Sequence, residues 1–177
     1  MDAEACTIRE AGNADLPRLA QLYRMFLEET LWSLPDVRRN PRLDVDRLLA
    51  GCLHGEHSAV LAAELKGEVV GFVCVEFRPP GDRPLGLLAS VREFFARRRA
   101  KPAMLSDAYG YLVHLFVEAR ARRKAIASAL VLASRDWVKL RGGHALELNV
   151  LAENDPARAL YRKLGMSEFL VHYRMEF

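Results

Sequence analysis

The sequence is poor in the residues that mark several common kinds of binding site. Its 177 residues include 3 cysteines, Cys6, Cys52 and Cys74, which lie far apart and therefore indicate neither a disulfide framework nor a paired-cysteine metal site. The chain has no apolar run long enough to span a membrane and no basic-then-apolar signal near its N-terminus. We therefore expect a cytoplasmic protein that binds no metal and no membrane.

Aromatic residues are also scarce. They make up 8% of the chain, so a stacking surface for single-stranded nucleic acid is not evident. The net charge of +3 is too small to require nucleic acid as a partner. Arginine-rich runs occur at 97–99 and 120–123, but no nucleic-acid motif accompanies them. A nucleic-acid-binding module is therefore a weak alternative, and we expect no nucleic-acid partner.

The remaining composition is typical of one globular domain. Hydrophobic residues make up 51% and charged residues 28% of the chain, which is the balance of a folded protein. A chain of this length fits one domain with a sizeable core. Only the segment 78–107 changes in composition, and we interpret it as a helical insertion within a single domain that spans 1–177.

Strand-like and helix-like patterns alternate along the chain. We predict strands at 6–10, 58–65, 69–77, 108–117, 145–151 and 169–177, and helices at 12–30, 44–55, 85–100, 125–143 and 155–165. The strands on either side of the turn around Gly67 predict an antiparallel hairpin, and two strand–helix–strand units follow it. Asp155 is predicted to cap the last helix, with Pro156 in its first turn.

The stretch VEARARRKAIASALV (117–131) places a basic turn between a strand and a helix. The first backbone N–H groups of a helix have no intrahelical acceptor and carry partial positive charge. Together with the arginines they suit a pyrophosphate group. The alternative is a basic turn that is simply solvated.

Two stretches of the sequence, LFVEARARRKAIASALV (115–131) and NVLAENDPARALYRKLGM (149–166), together resemble the GNAT superfamily of N-acetyltransferases. In LFVEARARRKAIASALV, a strand ending in Val is followed by about five residues and then by the family's Arg/Gln-x-x-Gly-x-Gly/Ala pattern. The three defined positions are occupied by Arg122, Ala125 and Ala127. Glycine is usual where Ala125 stands, since it lets the backbone approach the pyrophosphate without a Cβ.

The second motif is NVLAENDPARALYRKLGM (149–166). It is similar to the family's Asn-x-x-Ala pattern followed by Tyr-x-x-x-Gly-Phe. The matching positions are Asn154, Ala157, Tyr161, Gly165 and Met166. The resemblance covers almost the whole chain and implies an α/β (α+β) fold, with a mixed, mostly antiparallel central sheet of about six strands flanked by helices.

The resemblance also implies where acetyl-CoA binds. The cosubstrate would lie between parallel strands that end near Val117 and Val150 and part at that point. The implied cofactor-binding residues are Leu115, Phe116 and Val117 for the pantetheine arm, the backbone of Arg123, Lys124, Ala125, Ile126, Ala127 and Ser128 for the pyrophosphate, Arg122 beside a phosphate, and Asn154. For Asn154, a residue of the turn that starts a helix is the alternative.

For catalysis, Tyr161 is the implied donor of a hydrogen bond or proton to the departing thiolate. Its alternative role is that of a helix tyrosine packed on the sheet. His114 is the candidate base because its pKa suits neutral pH, and the other candidates are Glu118, Tyr111 and Glu76. His114 could equally be a strand histidine whose hydrogen bonds are already satisfied.

The resemblance therefore implies an acyltransferase. It would move the acetyl group of acetyl-CoA to a primary amine of a small molecule or peptide by direct attack, without a metal or a covalent enzyme intermediate. Related enzymes that act on diamines have acidic residues where Val113 and His114 stand here, which argues against a polycationic acceptor. The alternative is a non-catalytic acyl-CoA-binding or regulatory member of the family, suggested by Ala125. Assembly as a homodimer stays open.

Overall fold

The computed structural model describes residues 6–31, 40–82, 105–171 and 175. The strands are β1 (Thr7–Glu10), β2 (Ser58–Leu65), β3 (Glu68–Arg78), β4 (Gly81–Asp82), β5 (Leu105–Ser106), β6 (Tyr109–Val117) and β7 (Ala145–Leu148). The helices are α1 (Leu16–Phe26), α2 (Val45–His54), α3 (Ile126–Leu140) and α4 (Asp155–Lys163). A π-helical turn, Leu27–Leu31, continues α1. The predicted helix at 85–100, which belongs to the predicted insertion, lies outside the described residues.

Five strands form the central sheet in the order β1-β2-β3-β6-β7. The first three pairings are antiparallel, and β6 pairs with β7 in parallel. The prediction of a mixed, mostly antiparallel sheet flanked by helices is confirmed, with five strands in place of about six. Among the described residues, the short strands β4 and β5 pair with each other and with no other strand.

The prediction of a strand at 169–177 is wrong for the residues of this segment that the structure describes. Phe169, Leu170, Val171 and Met175 belong to no strand, and their exposed fractions range from 63% to 85%. The rest of this segment lies outside the described residues. An apolar pattern indicates which residues suit a strand, but it carries no information about whether a neighbouring strand offers an edge to pair with.

The hairpin of β2 and β3 forms because two consecutive turn residues adopt the left-handed conformation. Lys66 and Gly67 have φ of 55° and 77°, as a two-residue type I′ turn requires, and this turn matches the twist of the strands it joins. Alternate residues of β3 then face opposite sides of the sheet. Phe72 packs with α1 and α2, whereas Val73 and Val75 pack with α3. The sheet thus has two separate apolar faces.

A bulge in β6 changes which side chains share a face. Cys74 of β3 pairs with His114, but the next residue of β3 pairs with Leu112, so Val113 is extra. An unpaired extra residue is the mark of a β-bulge. As a result Val113 and His114, although consecutive, both lie on the face of α1 and α2.

The two parallel strands part after four residue pairs. Their pairing runs from Tyr109 with Ala145 to Leu112 with Leu148. Beyond this point β6 continues to Val117, whereas β7 has ended. A cleft, formed on one side by residues 113–117, therefore opens between the strands at the carboxyl end of β6. Among the described helices, none is long and apolar enough to cross a bilayer.

Candidate active site

The turn after β6 has an unusual backbone. Arg123 and Ala125 have φ of 65° and 59°, a region that non-glycine residues rarely occupy. α3 follows at once, and its first hydrogen bond joins the Ala129 N–H to the Ala125 carbonyl at 3.0 Å. The three preceding amides, those of residues 126–128, lie before the hydrogen-bonded ladder begins. Left-handed turn residues next to a helix start form the concave arrangement of N–H groups that binds anions.

An open cavity of about 180 Å³ lies at this turn. The residues that line it come from the end of β6, the turn, the start of α3 and one position of α4: Val117, Ala121, Arg122, Arg123, Ala125, Ile126, Ala127, Ser128 and Leu160. The cavity brings together most of the predicted cofactor residues. Lys124, Leu115, Phe116 and Asn154 are not part of its lining. Ala121 and Leu160 were missed because neither carries a polar group that sequence analysis would single out.

The back of the turn is held by ion pairs. The Glu118 carboxylate accepts hydrogen bonds from Arg18 at 2.8 Å and from Arg120 at 3.0 Å, and the Glu118 N–H donates to the Val70 carbonyl at 2.9 Å. Arg120 also pairs with Glu68. The structure therefore places Glu118, one of the candidate bases, in an anchor that ties the turn to α1 and β3.

Arg122 folds back over the end of β6. Its Nε donates to the Val117 carbonyl at 2.8 Å, and its guanidinium carbon lies 5.5 Å from the centre of the Phe116 ring. A terminal nitrogen pairs with the Glu29 carboxylate. The side chain thus joins the cavity to the π-helical turn, a contact between residues 93 positions apart that no local pattern could reveal.

Asn154 starts α4. Its side-chain oxygen accepts a hydrogen bond from the Ala157 N–H at 3.2 Å, so Asn154 is the N-cap rather than Asp155, while Pro156 lies in the first turn as expected. An N-cap of this kind satisfies one of the unpaired amides of the first turn. This geometry corresponds to the alternative role, that of a residue in the helix-start turn.

Tyr161 lies on α4, next to the cavity-lining Leu160. Its ring is partly buried against the apolar cluster that α3 forms with the sheet, and burial raises the pKa of its hydroxyl. Within the described part of the chain, no hydrogen bond occupies this hydroxyl. The side chain therefore combines a packed ring with a phenol that stays protonated at neutral pH.

His114 lies on the other face of the sheet. Its Nε2 is 3.0 Å from the Tyr23 hydroxyl, and its ring lies 5.1 Å from Tyr23 and 5.2 Å from Phe26, centre to centre. Burial lowers the pKa of His114, and the negative charge of Glu76 opposes this shift in part. Burial also raises the pKa of Tyr23 to about 12. The imidazole is thus favoured in its neutral form and is held by an aromatic wall.

The two other candidate bases share one arginine. Arg78 donates to the Glu76 carboxylate at 3.2 Å, and its guanidinium carbon lies 4.6 Å from the centre of the Tyr111 ring. Burial raises the pKa of Tyr111, and the nearby Arg78 charge opposes this shift in part. Glu76 and Tyr111 therefore both contact the positive charge of Arg78. Over the described ranges, no group of three or more histidine, cysteine, aspartate or glutamate side chains could hold a metal ion.

Comparison with known proteins agrees with this geometry. Residues 19–166 match the model of the acetyltransferase (GNAT) family. The chain is 26% identical over 168 residues to an uncharacterised N-acetyltransferase, YhfO, of Bacillus subtilis, with 94% of each chain covered.

Solved structures have the same fold. A mutant of the BH1408 protein from Bacillus halodurans is similar with a TM-score of 0.76 at 24% identity, covering 97% of this chain and 99% of that one. The structure of AAC(6')-Iy with the bisubstrate analogue CoA-S-monomethyl-acetylneamine has a TM-score of 0.66 at 19% identity, covering 98% and 99%. The family match extends over most of the chain, from the first helix to the end of the second motif. The protein belongs to the GNAT family of acetyltransferases and is an acyltransferase.

Proposed function

We propose that the protein transfers the acetyl group of acetyl-CoA to a primary amine of a small molecule or peptide by direct attack of the amine. The observation that carries this proposal is the cleft between β6 and β7. The cleft opens beyond the pair Leu112–Leu148, and the cavity of the basic turn lies at its end beside Val117. A strand with unpaired backbone groups next to an anion-binding turn fits a long acyl carrier that ends in phosphates.

The chain's own groups fit the two parts of this cosubstrate. The amides of residues 126–128 and the side chains of Arg122 and Arg123 would hold the pyrophosphate. Residues 115–117 of β6 would hold the pantetheine arm through backbone hydrogen bonds. The Val117 carbonyl accepts one hydrogen bond from Arg122, and a carbonyl oxygen can accept a second. Asn154, whose side-chain oxygen is engaged in the cap, would contact the cofactor through its amide nitrogen.

Acetyl-CoA, when bound, supplies a thioester carbonyl that an amine can attack without a prior covalent intermediate on the enzyme. Tyr161 would donate its hydroxyl hydrogen towards the sulfur as negative charge develops there. Because burial raises its pKa, the phenol carries that hydrogen at neutral pH. Its place on α4, beside the cavity-lining Leu160, supports this assignment.

His114 would take the proton of the attacking amine from the opposite face. When its Nε2–H donates to the Tyr23 oxygen at 3.0 Å, Nδ1 carries the lone pair that can accept a proton. The lowered pKa of His114 favours the neutral ring that a base requires. The acceptor would therefore enter from the side of α1 and α2, and the cleft would connect it with the side of Tyr161.

The test begins with calorimetric titration of acetyl-CoA and CoA. Saturable binding is expected, followed by release of thiol when the protein is mixed with acetyl-CoA and one member of an amine panel. The panel should contain aminoglycosides, simple monoamines, diamines and peptides with unblocked N-termini. Release with monoamines or peptides, but not with diamines or aminoglycosides, which carry several positive charges, would agree with the absence of acidic residues at positions 113 and 114. Binding of CoA without thiol release from any acceptor would favour the non-catalytic alternative.

A further inference from the structure

An ion pair links the basic turn after β6 to the π-helical turn that continues α1. Leu27–Leu31 forms a π-helical turn at the end of α1, a rare conformation that occurs frequently at functional sites. From this turn the Glu29 carboxylate pairs with Arg122. The same Arg122 side chain lines the cavity. One guanidinium therefore belongs to two parts of the site.

The guanidinium of Arg122 has a limited number of donors. Its Nε is engaged with the Val117 carbonyl, and one terminal nitrogen is engaged with Glu29. A pyrophosphate in the adjacent cavity would present more negative charge than one carboxylate and would also be held by the amides at the start of α3. Because the pyrophosphate and the Glu29 carboxylate are both negatively charged and repel each other, they would compete for the same cation.

We propose that Glu29 is a positioning residue that acts through Arg122, as an internal counter-ion that yields the guanidinium to the cosubstrate's pyrophosphate. The inference rests on the proposed function, since it requires the pyrophosphate to bind in the cavity at 121–128. When the exchange occurs, the contact between the π-helical turn and the end of β6 is lost. Binding of the cosubstrate is thereby coupled to the position of the π-helical turn, which lies at the end of α1 on the side from which the acceptor would enter.

Two ion pairs of the turn differ in how readily they can exchange. The side chains of Arg122 and Glu29 are 44% and 41% exposed, and exposed ion pairs contribute little to stability. The Glu118 side chain is 16% exposed and accepts from two arginines. The Glu118 contacts therefore keep the turn in place while the Glu29 contact can be given up.

The experiment compares CoA binding to the wild type and Glu29→Gln by calorimetry at low ionic strength. Removing the competing charge should tighten CoA binding by about two- to fivefold, the range that corresponds to an exposed ion pair. The gain should shrink at high salt, since exposed charges are screened. Glu28→Gln is the matched control: Glu28 is exposed on the same turn, and its substitution should leave CoA affinity unchanged. Damage to the site would weaken binding, so a tighter complex is a result that a purely structural role does not give.

A double-mutant cycle shows whether Glu29 acts through Arg122. In the Arg122→Gln background, Glu29→Gln should no longer change CoA affinity. A gain that persists there would show that Glu29 acts by its general field, and it would overturn the inference. Weaker or unchanged CoA binding by Glu29→Gln in the wild-type background would overturn it as well, while leaving the proposed function intact. No CoA binding by the wild type or by any variant would overturn the proposed function and the inference together.

Discussion

The two faces of the sheet at the cleft are built by different means. On the face of α3, the basic turn after β6 depends on backbone conformation, with Arg123 and Ala125 in the left-handed region and the start of α3 beside them. On the face of α1, the surroundings of His114 depend on contacts between separate elements, chiefly those of Tyr23 and Phe26 of α1 with His114 of β6. A site made from backbone can be specified by a short motif. A site made from side chains depends on contacts that only the fold creates.

The two faces also differ in their exposure to water. Arg122 is about two-fifths exposed, as suits a group that meets a charged ligand arriving from solvent. Tyr23 and Phe26 are at most 7% exposed, and the packing of their rings against His114 shields the imidazole from water. This explains why burial lowers the pKa of His114. Charge is kept accessible on one face and is disfavoured on the other.

The largest effect is expected at Tyr161, where the face of α3 and α4 meets the cleft. Tyr161→Phe keeps the ring and its packing and removes only the hydroxyl. If the hydroxyl stabilises the departing thiolate, turnover should fall on the order of 10²-fold while acetyl-CoA still binds. Steady-state kinetics with an acceptor from the panel would measure this, with calorimetry as the control for binding.

Two other outcomes for Tyr161→Phe would change the assignment. A loss of affinity larger than the loss of turnover would show that the hydroxyl positions the cosubstrate. Full turnover would leave protonation of the thiolate to water. The melting temperature should change little in every case, because within the described part of the chain no hydrogen bond to the hydroxyl is lost.

The next effect concerns the charge of the basic turn after β6. Arg122→Glu should weaken CoA binding by about 10- to 100-fold, because it removes a charge-assisted hydrogen bond and adds repulsion. Arg135→Glu is the matched control, since Arg135 is an exposed residue of α3 that pairs with its neighbour Asp136 and is not among the residues lining the cavity. If both variants bind CoA with the affinity of the wild type, the basic turn is a solvated surface that does not bind the pyrophosphate.

Much of the face that carries the turn could be predicted from the sequence. The motif around Arg122 indicated a strand, a turn and a helix, and the structure places them at β6 and α3. Most of the predicted pyrophosphate residues line one cavity. This succeeded because backbone geometry follows from local residue order, and local order is what a motif records.

The face that carries His114 could not be predicted to the same depth. The bulge at Val113 depends on the register between β3 and β6, and the hydrogen bond with Tyr23 joins residues 91 positions apart. The Arg122–Glu29 pair is equally distant along the chain. For the same reason the strand predicted at 169–177 is not found among the described residues of that segment. Pairing needs an edge elsewhere in the fold, which the apolar pattern of the segment does not describe.

A third prediction uses the left-handed conformation of Ala125. Its φ of 59° is strained for alanine and unstrained for glycine, so Ala125→Gly should stabilise the protein by about 1 kcal/mol and should retain or tighten CoA binding. Ala127→Gly is the control, because Ala127 lies within the first turn of α3, where glycine should destabilise by about 0.5–1 kcal/mol. Urea unfolding would measure both changes. If both substitutions change the free energy of unfolding in the same direction, the turn relaxes away from the left-handed conformation.

The smallest effect is expected from a change of pH on the free energy of unfolding. It tests whether His114, on the face of α1, is shielded from water. His114 has its pKa lowered from the ordinary 6.5 by burial, so the unfolded chain binds the proton more readily than the folded one. The stability contributed by the neutral ring is therefore complete above about pH 6.5 and is lost as the pH falls towards the lowered value. His114→Gln removes the titrating group and keeps a side chain that can bond to Tyr23.

The measurement is the free energy of unfolding of both proteins at about pH 7.5 and about pH 5.5, on either side of the ordinary histidine value. The wild type should lose more stability than His114→Gln over this interval, because the other titrating groups are common to both and cancel in the comparison. Glu76 opposes the shift, so Glu76→Gln should enlarge the loss, since His114 would then have a still lower pKa. A wild type that loses no more than His114→Gln would show that the imidazole stays accessible to water. The contrast between a charged, exposed face and an aromatic, buried one would then not extend to His114.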